Sequence, residues 1–311
     1  MNPISAIFGA GVALRNALYD RGVFKVHKLV RPVVSIGNIS VGGSGKTPFV
    51  IALGELLQQR SIDFDVLSRG YGRSSTGIAI VDPNGSPAQF GDEPLLIARK
   101  LHAPVIVGAD RYRAGLLAEK QFSSKLHLLD DGLQHRRLHR DFDIVLLPAE
   151  DQHGTLLPMG RLREPLSALE RADAVVLPDS AEKPLHAKSA WLARRQIELT
   201  AEGMLVAFCG IARPRQFFDA LKAARQEIAG TLTFHDHHRY AQRDIDRLRD
   251  LKKQTGASGF VTTEKDAINL GPLFAQLQPL RTATLRIDLE SPERIMDELL
   301  MALEQRSACR L

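Results

Sequence analysis

Short apolar runs recur through the first half of the chain and alternate with longer amphipathic stretches. The runs "VVSIG" (33–37), "FDVL" (64–67), "APVIVG" (103–108), "LHLL" (126–129), "DIVLL" (143–147) and "AVVL" (174–177) are too short for helices and rich in branched residues. They predict strands buried on both faces, as in a parallel sheet. The run "GIAIVD" (77–82) reads as a further short strand. Segments 48–59, 91–101 and 110–121 space their apolar residues as helices covering that sheet. Residues 157–172 read as a loop bearing proline and arginine that runs into another helix. Strands and helices in alternation give an α/β fold.

After Pro178 the pattern changes. Segments 194–200 and 282–290 alternate apolar and polar positions and read as extended linkers. Strand–helix units repeat between them, and a capped helix opens at Ser291 and Pro292. The expected organisation is a core domain over 1–193, a smaller α/β domain over 194–290 and a C-terminal helix over 291–311 that returns to the core. If the linkers pair, the small domain hangs on a two-stranded β ribbon.

The first 31 residues stand apart. Ile4, Ile7, Phe8, Gly11, Leu14 and Leu18 fall at helical spacing, and Arg15, Arg21, Lys25, Lys28 and Arg31 oppose Asp20 alone. No cation precedes the apolar run and Arg15 interrupts it, so a helix over 1–22 is neither a signal peptide nor a membrane span. Two readings stand: a helix packed on its own domain, or one lying in a membrane interface with basic residues behind it. The whole chain carries only +5 over 311 residues, so most of the excess sits in this segment, which argues against a nucleic-acid partner. Cys209 and Cys309 lie far apart, which fits a reducing compartment and excludes a disulfide framework.

The strand at 33–37 leads into "GNISVGGSGKTP", a glycine-rich turn ahead of a helix. Such a turn aims backbone N–H groups and a helix start at an anion. The candidate nucleotide loop is Ser40, Val41, Gly42, Gly43, Ser44, Gly45, Lys46 and Thr47, with Lys46 for the outer phosphates and Thr47 for magnesium. The strict pattern G-x-x-x-x-G-K-[ST] asks for glycine where Ser40 stands. A second apolar strand ends in Asp130 and Asp131, the placing of a metal-holding carboxylate at a strand's C-terminal end.

Three further motifs read two ways. Asp92 in "GDEP" is a helix cap or a base for a hydroxyl. The loops "SRGYGR" (Arg69, Tyr71) and "GRLREP" (Arg161, Arg163) follow strands and either line a ligand crevice or carry solvated charge. "FHDHHRY" holds His235, Asp236, His237 and His238, too closely spaced for a usual zinc set, which leaves a base, a phosphate-binding cation or a surface loop.

"GNISVGGSGKTP", "SRGYGR", "GDEP", "DDGLQH", "GRLREP", "DHH" and "TTEKD" occur in this order. Together they resemble the tetraacyldisaccharide 4′-kinase family of the lipid A pathway in Gram-negative bacteria. The resemblance implies a P-loop domain and a second α/β domain on a two-stranded linker. It implies a kinase that uses ATP and Mg²⁺, acts peripherally at the cytoplasmic face of the inner membrane, and phosphorylates the 4′-hydroxyl of a tetraacyldisaccharide 1-phosphate to give lipid IVA. Lys46 and Thr47 then serve nucleotide and metal, Asp92 is the base supported by His237, Asp130 and Asp131 are acidic site residues, and Glu164 is a further metal contact. Arg69, Tyr71, Arg161, Arg163 and Asp236 face the substrate, and the enzyme acts as a monomer. The rival expectation is a P-loop switch ATPase of the partitioning or metal-insertion type, which hydrolyses ATP to drive partner binding.

Overall fold

A computed structural model describes residues 3–178, 187–200 and 202–308. Cys309 lies outside them. Helix α1 (Pro3–Asp20) precedes β1 (Val33–Asn38), the strand of the glycine loop. Then follow α2 (Lys46–Gln59), β2 (Phe64–Ser68), β3 (Ala79–Ile80), the short α3 (Pro87–Phe90), α4 (Asp92–Leu101), β4 (Val105–Val107), α5 (Arg111–Gln121), β5 (Leu126–Asp130), β6 (Phe142–Leu146) and β7 (Ala174–Pro178). The second half adds β8 (Ser189–Glu198), β9 (Leu205–Cys209), α6 (Pro214–Ala223), β10 (Ile228–Thr233), α7 (Gln242–Thr255), β11 (Gly259–Thr263), α8 (Glu264–Leu270), β12 (Leu280–Leu289) and α9 (Pro292–Ala308).

The strands form one sheet in the order β10-β9-β11-β12-β8-β7-β6-β1-β5-β2-β4-β3. Among the described strands only β12–β8 and β3–β4 run antiparallel. β1 lies between β6 and β5, and its register sets Ile36 against Asp130. The loop leaving β1 and the carboxylates ending β5 therefore emerge side by side, outside the C-terminal strand ends where ligands bind in such sheets.

The two-stranded linker is present, but neither strand is a free tether. β8 pairs in parallel with β7 over Ser189–Ala193, then antiparallel with β12 over Ala193–Glu198. β12 pairs with β11 over Leu280–Ala283 and with β8 over Thr284–Leu289. Each linker strand thus belongs to one domain's sheet and to the ribbon. The expected boundary at 193 falls inside β8, where its partner changes.

Two local readings shift. Helix α2 starts at Lys46 rather than at Pro48, because Pro48 occupies the first turn, where a missing N–H removes no intrahelical bond. The helix expected in 157–172 is only a 3₁₀ segment, Leu166–Arg171. Pro165 opens it and β7 follows at once, leaving no room for further turns.

Helix α1 is attached by its polar residues. Ser5 Oγ donates to the Leu156 carbonyl at 3.0 Å, Arg15 to the Gln134 carbonyl at 2.6 Å, and Asn16 to Glu164 at 2.8 Å. Of its large apolar residues Ile4, Ile7 and Leu14 point outward, at 57%, 74% and 61% exposed, while Phe8, Val12 and Leu18 are half-buried. Val23, Phe24, Val26 and Val30 extend this exposed apolar surface, among the exposed Arg21, Lys25, Lys28 and Arg31.

Trp191 ties the linker to the C-terminal helix. It is fully buried in β8, stacks on Phe142 with ring centres 5.9 Å apart, and donates its indole N–H to Glu298 of α9 at 3.1 Å. Trp191→Ala should lower the unfolding free energy by about 3–5 kcal/mol, measured by urea unfolding followed by circular dichroism.

Candidate active site

A cleft of about 1070 Å³ opens between the domains. Val41 to Thr47 form its floor, with Asp130 and Asp131 at one side and Tyr71, Glu93, Asp236, His237 and Lys265 at one end. The other end is apolar, walled by Leu147, Ile197, Ile211, Phe217 and Leu285 among others.

The loop is shaped by backbone that only glycine adopts freely. Gly43 and Gly45 sit at φ +60° and +86°, and Gly45 caps α2. Ser40 does not line the cleft: it is buried and its hydroxyl donates to Asp151 at 2.6 Å. Arg161 holds the loop from behind, accepting from the Val41 N–H and donating to the Val41 carbonyl at 2.8 and 2.9 Å. Lys46 Nζ lies 3.0 Å from Asn38 Oδ1 and 3.4 Å from Asp131.

Asp130 and Asp131 differ sharply. Burial would raise Asp131, but Lys46 and the Arg163 guanidinium outweigh it and hold the carboxyl well below the usual range. Arg163 reaches both Asp131 oxygens, at 3.0 and 3.3 Å. Asp130 has no such cation in contact. Burial, Glu93 and Asp131 push it up to about 7, and Ser68 Oγ donates to it at 3.0 Å. An under-compensated carboxylate beside Thr47 and the loop is a group that a divalent cation would stabilise, and an all-oxygen donor set suits magnesium. Among the described residues no cluster of three or more acidic, His or Cys side chains forms a metal cage. Glu164 stands apart from this set. It is buried against Arg171 at 2.8 Å and takes hydrogen bonds from Asn16 and Gln134, so three of its roughly four acceptor sites are taken by internal partners.

At the other end, Asp92 opens α4 and is 4% exposed. His237 Nδ1 lies 3.0 and 3.1 Å from its two oxygens, Asn269 donates at 2.9 Å, and the Glu93 N–H donates at 2.9 Å. Burial opposes ionisation, but these partners keep the carboxyl below its ordinary value. Burial also lowers His237, and Lys265 works in the same direction; the bond to Asp92 reverses this and leaves the imidazole raised. His237 and Asp131 both hold left-handed backbone, at φ +56° and +53°, a conformation uncommon outside glycine and frequent at functional sites. Only His237 of the Asp92–His237 pair lines the cleft, with Tyr71 5.0 Å from its ring. The neighbouring histidines serve the fold: His238 bridges His235 at 2.8 Å and Asp244 at 3.0 Å.

A smaller polar pocket of about 230 Å³ adjoins Asp131, lined by Arg69, Arg111, Arg163, Gln134 and His135. Burial and then Arg111 push His135 down to about 4, so it is neutral near pH 7.

The sequence brought Lys46, Thr47, Asp92, Asp130, Asp131, Arg69, Arg163 and His237 to this region but missed Lys265, Asn269, Arg111 and Arg213. Lys265 lies in the "TTEKD" turn after β11, a strand-end position that could have marked it. Its ammonium sits 3.2 Å from Asp236 and 3.3 Å from His237 Nε2 in its own domain, and 3.3 Å from Glu93 across the domain boundary. Arg213 forms ion pairs with Glu150 and Asp151 from the small domain.

A family model for tetraacyldisaccharide-1-P 4′-kinase matches residues 1–304. The chain belongs to the tetraacyldisaccharide 4′-kinase family. It is 51% identical over 320 residues to the tetraacyldisaccharide 4′-kinase of Koribacter versatilis, covering 98% of this chain and 99% of that one. The corresponding Aquifex aeolicus kinase is 38% identical over 289 residues, covering 86% and 88%. A crystal structure of LpxK from Aquifex aeolicus in complex with ATP superposes with a TM-score of 0.81 at 34% identity, over 97% of this chain and 98% of that one. The chain is thus a kinase that moves phosphate to a hydroxyl, with a P-loop kinase fold, and the switch-ATPase reading is not favoured.

Removing the Lys265 ammonium leaves Glu93, Asp92 and Asp236 without their shared cation. Lys265→Met should lower the unfolding free energy by about 3 kcal/mol, while Lys265→Arg retains most of it, measured by denaturant titration.

Proposed function

We propose that this kinase transfers the γ-phosphoryl group of ATP to the 4′-hydroxyl of a tetraacyldisaccharide 1-phosphate, with His237 taking the hydroxyl proton. The observation that carries this reading is the position of His237, bonded to a buried Asp92 across the domain boundary and lining the same cleft as the phosphate loop. It exchanges the roles expected from sequence. Asp92 is buried and fully bonded, so it is a poor acceptor for a proton from the cleft; it orients His237 and raises its basicity.

The loop N–H groups, the start of α2 and Lys46 bind the phosphates and stabilise charge that builds on them. Thr47 and Asp130 would hold Mg²⁺, which supplies charge neutralisation on the phosphate oxygens when bound. Glu164 is left out of that set because its partners are internal. The apolar end of the cleft suits a nucleotide base. Arg69, Arg111 and Arg163 offer the adjoining pocket to an acidic or hydroxyl-rich part of the disaccharide. Tyr71 and Asp236 flank His237 on the acceptor side. Both halves of the site come from one chain, which supports action as a monomer.

The exposed apolar residues of α1, with the basic residues that follow, support peripheral attachment at the cytoplasmic face of the inner membrane. Among the described residues no helix is long and apolar enough to cross a membrane.

Incubation with γ-labelled ATP and the disaccharide 1-phosphate should place label on the lipid, read by thin-layer chromatography. His237→Ala should cut kcat by about 10²–10⁴ while KM for ATP stays within about twofold. Asp92 raises the His237 affinity for protons, and the base must be unprotonated to act. Asp92→Asn should therefore move the acid limb of the kcat profile to lower pH while lowering its plateau. Wild-type turnover in His237→Ala would exclude it as the base.

Exposed positions test the membrane reading without disturbing the fold. The pair Ile7→Asp and Leu14→Asp should weaken sedimentation with anionic vesicles by about tenfold or more. Sedimentation equal to wild type would leave α1 a purely structural helix.

A further inference from the structure

Ser40 stands where the strict phosphate-loop pattern has glycine, yet its hydroxyl is turned away from the cleft. It is fully buried, donates to Asp151 Oδ2 at 2.6 Å and accepts from Asn38 Nδ2 at 3.2 Å. Asp151 is itself 2% exposed. One guanidinium nitrogen of Arg213 donates to both Asp151 oxygens at 2.9 Å each, and the other donates to Glu150 at 3.0 Å. Arg213 belongs to the small domain and immediately precedes α6. Its aliphatic stem lies on the loop: a Cβ built on Gly43 would stand 2.7 Å from Arg213 Cγ, and one on Gly42 2.8 Å from the neighbouring Ala212 Cβ.

Asp151 thus bonds a loop hydroxyl with an oxygen that also accepts the other domain's guanidinium. A buried carboxylate deprived of its cation is strongly destabilised. Withdrawal of Arg213 therefore changes the partner of Ser40 and removes the side chain resting on Gly43 at the same moment. We infer that Arg213, Asp151 and Ser40 form a latch through which the seated small domain fixes the phosphate loop in its ATP-binding shape. All three are positioning residues, and Ser40 is the part of the loop that senses the latch, which a glycine could not do. The inference rests on the loop being the ATP site and adds how that site is regulated by domain closure. None of the three latch residues is among the hydrogen-bond partners of Asp92 or His237, so the two sets can be tested separately.

Steady-state kinetics at saturating disaccharide test it with Ser40→Ala, Asp151→Asn, Arg213→Ala, the double variant Ser40→Ala/Arg213→Ala, and Arg213→Lys. Each of the first three should raise KM for ATP about five- to tenfold with kcat within about twofold. The double variant should be no worse than the worse of its two singles, because the residues act as one chain, and Arg213→Lys should recover part of the loss. A double variant whose KM rises by the product of the two single effects would overturn the latch. So would a normal KM in Asp151→Asn, since Arg213 would then act without its carboxylate. If Asp151→Asn does not fold, the Ser40–Arg213 pair decides alone. Lys46→Ala separates the underlying reading: a normal ATP KM in that variant would show that the loop is not the nucleotide site, whereas normal KM values confined to the latch variants would remove only the latch.

Discussion

Asp92 imposes the constraint on which the site depends. A carboxylate held at 4% exposure must find partners, and in its own domain it has little beyond the Glu93 N–H. His237, Asn269 and Lys265 supply the rest, all from the small domain. The charge that would be costly to bury alone becomes the reason the domains meet at this point. The same contact aims His237 into the cleft and raises its basicity. On the proposed mechanism, domain closure and the making of a base would be one event, which fits a reaction that must not spend ATP on water before the acceptor is seated.

The sheet makes such closure compatible with rigidity. A pendant ribbon would let the small domain swing widely. Here β8 leaves β7 only at Ala193, and β12 leaves β11 only at Ala283, so a hinge for the proposed closure would be confined to the few residues where each strand changes partner. Trp191, just before that point, is clamped between Phe142 and Glu298. A short hinge between two anchored strands permits rotation about the ribbon and resists shear. That geometry suits a cleft whose opposing groups must return to within hydrogen-bond distance at each cycle.

What the sequence made legible was local. Buried strands announce themselves by composition, and a glycine turn between strand and helix carries its chemistry in its spacing, so β1, α2, Lys46 and Thr47 were readable. Asp92 and His237 were nameable, but their division of labour was not, because it turns on which of the two is buried, a property of domain packing. Lys265 and Arg213 were missed for the same reason: each matters only through carboxylates distant in sequence. Helix α1 shows the opposite limit. Its spacing correctly gave a helix, but apolar periodicity alone points such a face inward, and the structure seats the helix by Ser5, Arg15 and Asn16 instead. Polar side chains that find carbonyl and carboxylate partners here fix the face that a narrow apolar stripe alone would not.

The attachment of α1 bears on the chemistry as well as on location. Arg15 holds the Gln134 carbonyl, and Asn16 holds Glu164, which also takes a hydrogen bond from the Gln134 side chain. Gln134 is a wall of the arginine-lined pocket, and that side chain also donates to the Asn38 carbonyl at the end of β1. On the proposed membrane orientation, the helix at the lipid surface is hydrogen-bonded to the pocket for the sugar and, one residue further, to the strand carrying the phosphate loop. An acylated disaccharide cannot leave the bilayer without exposing its chains, so its hydroxyl is available only within a short distance of the surface. A helix fixed by flexible packing would blur that distance. One fixed by directional bonds to the pocket wall holds the pocket at a set height, so the acceptor meets His237 and the loop without being drawn from the membrane.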